Sequence, residues 1–351
     1  MSKLHGVMDK MVEIIETKRH EGPVDFQELC VKMTLDAIGV VALGANLGGL
    51  DGSRPIYKHM LDSFLVTRLR TSRPLQTFLF KHLPFLKGAR EQQRTLDEMN
   101  ADWDALTKEI LARDDPPDGE EPIWQALRTM TDPETGQTIG YASLLAEVAT
   151  VAVAGMDATG HQLPFVLALL ASNPDVVEKL MEELKGHGLY GPDCRSATVE
   201  DLSELAYLSA IVKEGMRVSY VLIQMFERET PEDMKILDYR LPKGTRVIVP
   251  GNRWLNSETD WGDPTAFRPE RWLAGEDMSQ KFYLPFSCGP RDCVGQKLTH
   301  LEMRLAIVCL IQKYDLTPTC PVQELLKNGC DSFTVQATDG IWLNATPRLR
   351  V

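Results

Sequence analysis

From Tyr141 to Ala171 the chain reads YASLLAEVATVAVAGMDATGHQLPFVLALLA, and this stretch constrains the fold more than any other. It is strongly apolar around its whole circumference, which predicts one long helix rather than a surface helix with a single greasy stripe. Asn173-Pro174 stops it, and PDVVEKLMEELKG predicts a shorter amphipathic helix ending near Gly186. The rest of the chain follows the same lead. VDFQELCVKMTLDAIGVVALG, from Val24, sets apolar residues at helical spacing, with Asp25 and Glu28 as a capping box. Residues 53–113 predict two or three helices broken around Pro74 and Pro84, and 207–220 and 295–314 predict two more. Strand character is confined to short pieces. YRLPKGTRVIVP reads as a hairpin about Pro-Lys-Gly, and SFTVQA and IWLNA near the end read as strands. The acidic, proline-rich segment at 114–122 reads as a surface loop. The expectation is a mainly α protein with small β-sheets, one domain over 1–351 with no second domain.

Composition narrows the function. Fifty Asp and Glu against 38 Lys and Arg give a net charge of −12, which argues against a nucleic-acid partner. Seven cysteines at irregular spacing form no disulfide framework, and the scattered histidines supply no zinc ligand set. No signal peptide and no unbroken run of eighteen apolar residues is visible, so the chain as written reads as soluble or peripheral.

The chemistry concentrates in FSCGPRDCVG, Phe286 to Gly295. Gly289 permits a turn closed to bulkier residues, and Arg291 supplies a fixed cation. Cys293 stands just before a helix starting near Gly295, where unpaired N–H groups and the helix dipole favour thiolate over thiol. Phe286, Gly289, Arg291, Cys293 and Gly295 match F-x-x-G-x-R-x-C-x-G at every fixed position. The loop thereby resembles the haem-ligating signature of the cytochrome P450 superfamily, with Cys293 as the axial ligand of haem iron and Cys288 as packing.

Companions strengthen the resemblance. Glu214 and Arg217 sit three apart in KEGMR, and FRPERW brings Arg271. They resemble the family's structural Glu-Arg-Arg set behind the haem loop, costly to bury unless fully hydrogen-bonded. AGMDATG, Ala154 to Gly160, resembles the oxygen-binding groove of the family's long helix. Ala154 and Gly155 would flank the cofactor there, and Asp157 and Thr159 would relay protons. Pro164 withholds an N–H from the Gly160 carbonyl and should distort the helix locally. Leu298 and Glu302 continue the pattern after the ligand. Arg228 resembles the arginine that reaches a haem propionate, and Val221, Leu222 and Ile223 the substrate-lining segment.

Three departures stand out. The threonine expected directly after the helix acid is Ala158, with Thr159 one step later and about 100° round the helix. Thr299 stands where a small residue is usual, and VSYVLIQMFER lacks the usual prolines. The N-terminal strands and first helices of the family are missing, and WQALR, Trp124 to Arg128, matches a haem-propionate helix only by coincidence. The resemblance implies haem b (iron protoporphyrin IX) and a monooxygenase using O₂ on a small apolar organic substrate. It also implies an external NADPH-dependent cytochrome reductase, and the cytosolic face of the endoplasmic reticulum membrane for full-length relatives. Arg291, Lys297 and Arg304 would form the docking patch. Ala158 motivates the rival readings of a haem-thiolate isomerase, dehydratase or peroxide-using enzyme, and the truncation that of a non-catalytic remnant.

Overall fold

A computed structural model describes residues 1–114, 122–222, 226–249, 255–273, 283–327 and 334–348. Contacts divide the chain into two compact units, Met1–Ile14 with Glu28–Gly160, and Ile15–Gln27 with His161–Val351. Three continuous helices pass from one unit into the other, so the division is not a linker.

In chain order the helices of the first half are α1 (Ser2–Lys18), α2 (Phe26–Ile38), α3 (Ile56–Ser72), α4 (Pro74–His82), α5 (Lys87–Leu111), α6 (Ile123–Thr129) and α7 (Tyr141–Ala171). A π-helical turn, Gly39–Leu43, closes α2, and Gly44 ends it at φ 63°, a left-handed conformation suited to glycine. Asp25 accepts the Gln27 N–H at the start of α2, while Glu28 pairs with Lys32. The breaks at Pro74 and Pro84 fall as expected and leave α4 as a short helix with no buried residue. Within this unit α3 packs on α5, and Met99, Trp103, Leu106 and Ile110 supply the buried stripe of α5. Trp124, from the WQALR segment, is buried with Arg113 and Arg128 each 5.6 Å from its ring centroid. This is a packing role.

The second unit holds α8 (Pro174–Gly186), α9 (Val199–Glu204), α10 (Ala206–Val218), α11 (Glu258–Trp261), α12 (Gln296–Lys313) and α13 (Val322–Lys327). Helix α8 buries Val176, Val177, Leu180 and Leu184, the spacing its sequence showed, and packs with α10 and α12. Helix α9 starts on a capping box between Thr198 and Asp201, a legible signal that the periodicity reading passed over. Helix α7 is long and apolar enough to cross a membrane by length and composition; 33% of its apolar window is buried, and Thr159–Leu170 is buried throughout.

The strands correct the expected hairpin. β2 (Phe226–Glu229) pairs with β5 (Arg246–Val249), and β3 (Met234–Ile236) with β4 (Tyr239–Leu241), both antiparallel. The Pro-Lys-Gly turn forms, with Thr245 N–H donating to the Pro242 carbonyl, but its two flanks join different sheets. Thr230 bonds both ways with 244–245 and pulls β5 onto β2. A third sheet has the order β1-β7-β6, from Val24–Asp25, Trp342–Pro347 and Tyr314–Pro318. IWLNA is therefore a strand. The described part of SFTVQA, 334–337, is not. None of the six described cysteines is in a disulfide.

Candidate functional site

The cysteine loop is a wound platform. Ser287 and Gly289 both take positive φ, 69° and 81°, and Gly289–Arg291 forms one 3-10 turn. The Cys293 N–H donates to the Phe286 carbonyl at 2.9 Å, closing the loop. Gln296 N–H donates to the Cys293 carbonyl at 3.3 Å, and α12 begins there. Cys293 is thus an exposed thiol outside any disulfide, at the N-terminal end of an eighteen-residue helix. A Cβ added at Gly295 would meet the sulfur at 3.7 Å, an ordinary contact. Phe286 packs its ring on His300, centroids 5.0 Å apart. Cys288 is exposed, which corrects the packing role expected for it. Arg291 is exposed as well, next to Val294, whose side chain is 102% exposed.

Behind the loop the charge set is buried and fully engaged. Glu214, Arg217 and Arg271 are 0%, 0% and 2% exposed. Glu214 Oε1 accepts from Arg217 Nη2 and Arg271 Nε at 2.9 Å each and from the Arg268 N–H at 3.0 Å. Its Oε2 accepts from Arg217 Nε and Trp272 Nε1, again at 2.9 Å each. Arg217 sends its remaining N–H groups to the carbonyls of Leu255, Pro264 and Ala266, so all its donors are used. Arg271 donates to the carbonyls of Trp261 and Asp263. Trp261 lies under both guanidiniums, 5.0 and 5.9 Å from its ring centroid. Motif reading found the three charges but missed Trp272 and Trp261, although both stand in tryptophan-bearing segments flanking Arg271.

Helix α12 carries three further perturbed groups, His300, Glu302 and Arg304. Burial raises the Glu302 carboxyl to about 8, and its Oε1 has no hydrogen-bond partner among the described residues. Burial, with Arg304 and Lys213 adding repulsion, lowers His300 to about 4. Arg304 donates to the Leu202 carbonyl and buries its Nε, so it is not an open surface cation as expected.

On α7 the faces sort the residues. Ala154 is exposed and Ala158, one turn on, is half-buried on the same face. Thr159 shares its face with Gly155 instead, and a side chain at Gly155 would meet Ile38 of α2 at 2.5 Å. Gly155 and Gly160 are small so that α2 can approach: a Cβ added at Gly160 would meet Thr34 and Val31 at 2.7 Å. The Thr34 hydroxyl, wholly buried, is 2.9 Å from the Met156 carbonyl and also within reach of those of Cys30 and Val31. Asp157 and Thr159 are both buried, at 6% and 3% exposure. Gly155 thus serves helix packing, which corrects its expected role against the cofactor. The helix stays continuous through Pro164.

The remaining expected residues are dispersed along the second unit. Arg228 lies on β2 with its side chain exposed and donates to the Glu227 carbonyl. Val221 is buried and accepts the Val335 N–H through its carbonyl at 2.7 Å, while Leu222 is half-buried. Ile223 and most of 114–122 lie outside the described residues.

Among the described residues no three His, Cys, Asp or Glu side chains come together to hold a metal ion. The accessible Cys293 thiol on this braced loop fits a metal that brings its other ligands with it, as haem iron does.

Comparison with known proteins agrees. The family model described as Cytochrome P450 matches residues 2–342. Cytochrome P450 4ae1 of Drosophila melanogaster is 32% identical over 90% of this chain and 64% of its own length. Cytochrome P450 3A14 of Cavia porcellus is 25% identical over 93% of this chain and 65% of its own. The chain thus spans less than two-thirds of the length of these relatives. The crystal structure of the cytochrome P450DA heme domain superposes with a TM-score of 0.83 at 22% identity, covering 100% of this chain and 73% of that one, which shows the shared fold. The chain belongs to the cytochrome P450 family.

Proposed function

We propose that the protein is a haem-thiolate monooxygenase that inserts one oxygen atom from O₂ into a small apolar organic substrate, its electrons coming from an external NADPH-dependent reductase. The observation that carries the proposal is the exposed Cys293 thiol, held by a backbone bond at the N-terminal end of α12. Cys293 would bind iron as thiolate. Bound haem b supplies the redox and oxygen-activating chemistry, and everything else falls to the chain. The Glu214 hub fixes the segments that pass behind the loop. Exposed Arg291 and Lys297 present cations beside it for an acidic electron donor. Ala154 offers a small, exposed patch of α7 against which a flat ligand can lie, and buried Asp157 is proposed as a member of the proton relay. Attachment to the cytosolic face of the endoplasmic reticulum membrane is part of the same proposal.

Ala158 favours a second reading, because the exposed face of α7 carries a methyl group where a relay needs a hydroxyl, and Thr159 is turned away. A peroxide-using enzyme, isomerase or dehydratase needs no such hydroxyl. The deciding experiment is the absorption spectrum of the reduced, carbon-monoxide-bound protein, with Cys293→Ala beside it. A strongly red-shifted Soret band lost in the variant supports thiolate ligation, and an unchanged spectrum refutes it. Turnover with a hydroperoxide but none with O₂ and a reductase selects the second reading.

A further inference from the structure

Two neighbouring polar residues of α7, His161 and Gln162, are buried, and neither has a place in the proton relay proposed above. A polar side chain is costly to bury unless it is hydrogen-bonded, so what each one meets matters. Gln162 Nε2 donates to Ser219 Oγ at 2.9 Å, and the Ser219 hydroxyl donates to the Gly215 carbonyl at 2.7 Å. His161, about 100° round the helix from Gln162, turns to a different partner, its Nδ1 lying 3.1 Å from the Thr334 hydroxyl. Ser219 and Thr334 are buried as well. The next residue, Val335, donates its N–H to the Val221 carbonyl at 2.7 Å. Helix α7 therefore reaches the segment after α10 by two routes, directly at Ser219 and through 334–335 at Val221.

A glycine brings the two helices close enough for this. A Cβ added at Gly215 of α10 would meet Val166 Cγ2 of α7 at 2.6 Å. Gln162 stands one turn before Val166 and Ser219 one turn beyond Gly215, so the side-chain bond lies beside the closest approach. Helix α10 ends there, with Ser219 at φ −117° and ψ 48°, and Tyr220 to Leu222 continue in neither helix nor strand. The stretch VSYVLIQMFER contains no proline. An irregular segment without proline keeps its backbone freedom unless tertiary bonds remove it. Burial alone would be met by any nearby carbonyl. Here two adjacent side chains of one helix both serve the same short stretch, 219–221, and they do so from different directions.

We propose that Gln162 and His161 are positioning residues that clasp 219–222 to α7, doing there what prolines would do, and thereby fix the wall that Leu222 presents to a bound substrate. The proposal rests on the haem-thiolate reading for its substrate, though not for its hydrogen bonds. A ligand small enough to touch only the metal is indifferent to the clasp. One that extends over the wall depends on it.

The first test needs no haem: amide hydrogen exchange, followed by mass spectrometry, on the full 351-residue chain. Gln162→Met and Thr334→Val, close in size to the parent residues, should each speed exchange in 219–222 and at Val335 about five- to tenfold, with the far-UV circular dichroism kept. Adding Ser219→Ala to Gln162→Met should change little more, as expected for two partners of one bond. The second test uses haem-loaded protein and the Soret shift given by imidazole and by 4-phenylimidazole. In both variants the Kd of 4-phenylimidazole should rise about five- to tenfold, because the wall must be ordered on binding, while that of imidazole stays within about twofold. Unchanged exchange in both variants overturns the proposal. Faster exchange with no change for 4-phenylimidazole overturns it too, since the bonds then serve packing alone. A parent that gives no shift with imidazole overturns it through the reading on which it rests, and the exchange result shows separately whether the clasp itself has failed.

Discussion

Replacing Arg217 with leucine should unfold the second unit far more readily, and the hydrogen-bond pattern sets how much. Arg217 gives Glu214 two charge-assisted bonds and gives three more to the carbonyls of Leu255, Pro264 and Ala266. The variant leaves a wholly buried carboxylate with one guanidinium, from Arg271, instead of two. Breaking a buried pair from one side costs about 3–5 kcal/mol. The carbonyls deprived of their donor push the loss toward the upper end of that range. Domain stabilities run at about 5–15 kcal/mol, so the variant should stand near the edge of folding. Urea unfolding followed by far-UV circular dichroism should show the midpoint falling by roughly 1–2 M at the usual denaturant sensitivity. Arg240→Leu is the control, since its 3.4 Å pair with Asp233 is exposed and should contribute little. An Arg217→Leu midpoint within about 0.3 M of the parent, matching the control, would refute the reasoning, because the hub would then be ornamental.

Other outcomes follow from the same geometry. The folded carboxyl of Glu302 titrates near 8 against an ordinary 4.5, so the native state holds a proton that the unfolded chain releases between those values. Its stability is greatest below 4.5 and is lost as pH rises toward 8. Glu302→Gln should flatten this fall and add on the order of a few kcal/mol at pH 8, read from melts across the range. Gly160→Ala should cost about 1–3 kcal/mol in chemical unfolding, because the new methyl would lie 2.7 Å from the Val31 Cα, a backbone atom that cannot turn aside. Ala158→Thr should raise the share of consumed reductant that appears in product, while Thr159→Val should leave it within about twofold, a small loss beside the ten-fold and larger losses usual for a direct proton donor. The reverse ranking would place the relay on Thr159.

The sequence exposed what is local or repeated along a helix. Helices α3 to α5, α7, α8 and α10 followed apolar spacing and proline breaks to within a residue or two. Pairing at a distance was not legible. The flanks of Pro-Lys-Gly look like hairpin partners, yet Thr230 and Thr245 hand them to different sheets. The site divides the same way. Cys293, Glu214, Arg217 and Arg271 are readable because chemistry fixes both residue type and spacing. Trp272 Nε1 on Glu214 and the Thr34 hydroxyl at Met156 are contacts across 58 and 122 residues, and neither leaves a local mark. Gly155 shows the opposite failure, since its smallness is plain in the sequence but what it makes room for, Ile38, is not.

The three-stranded sheet has a consequence for synthesis. β1 lies at residues 24–25 and its partner β7 at 342–347, and the Gln27 amide is tied to Ala337 from both sides, 310 residues away. A growing polypeptide on the ribosome cannot close this sheet until Trp342–Pro347 has been made, more than 300 residues after β1. Until then the early strand and the start of α2 wait unpaired, so the helices must mature first and the sheet acts as the final latch.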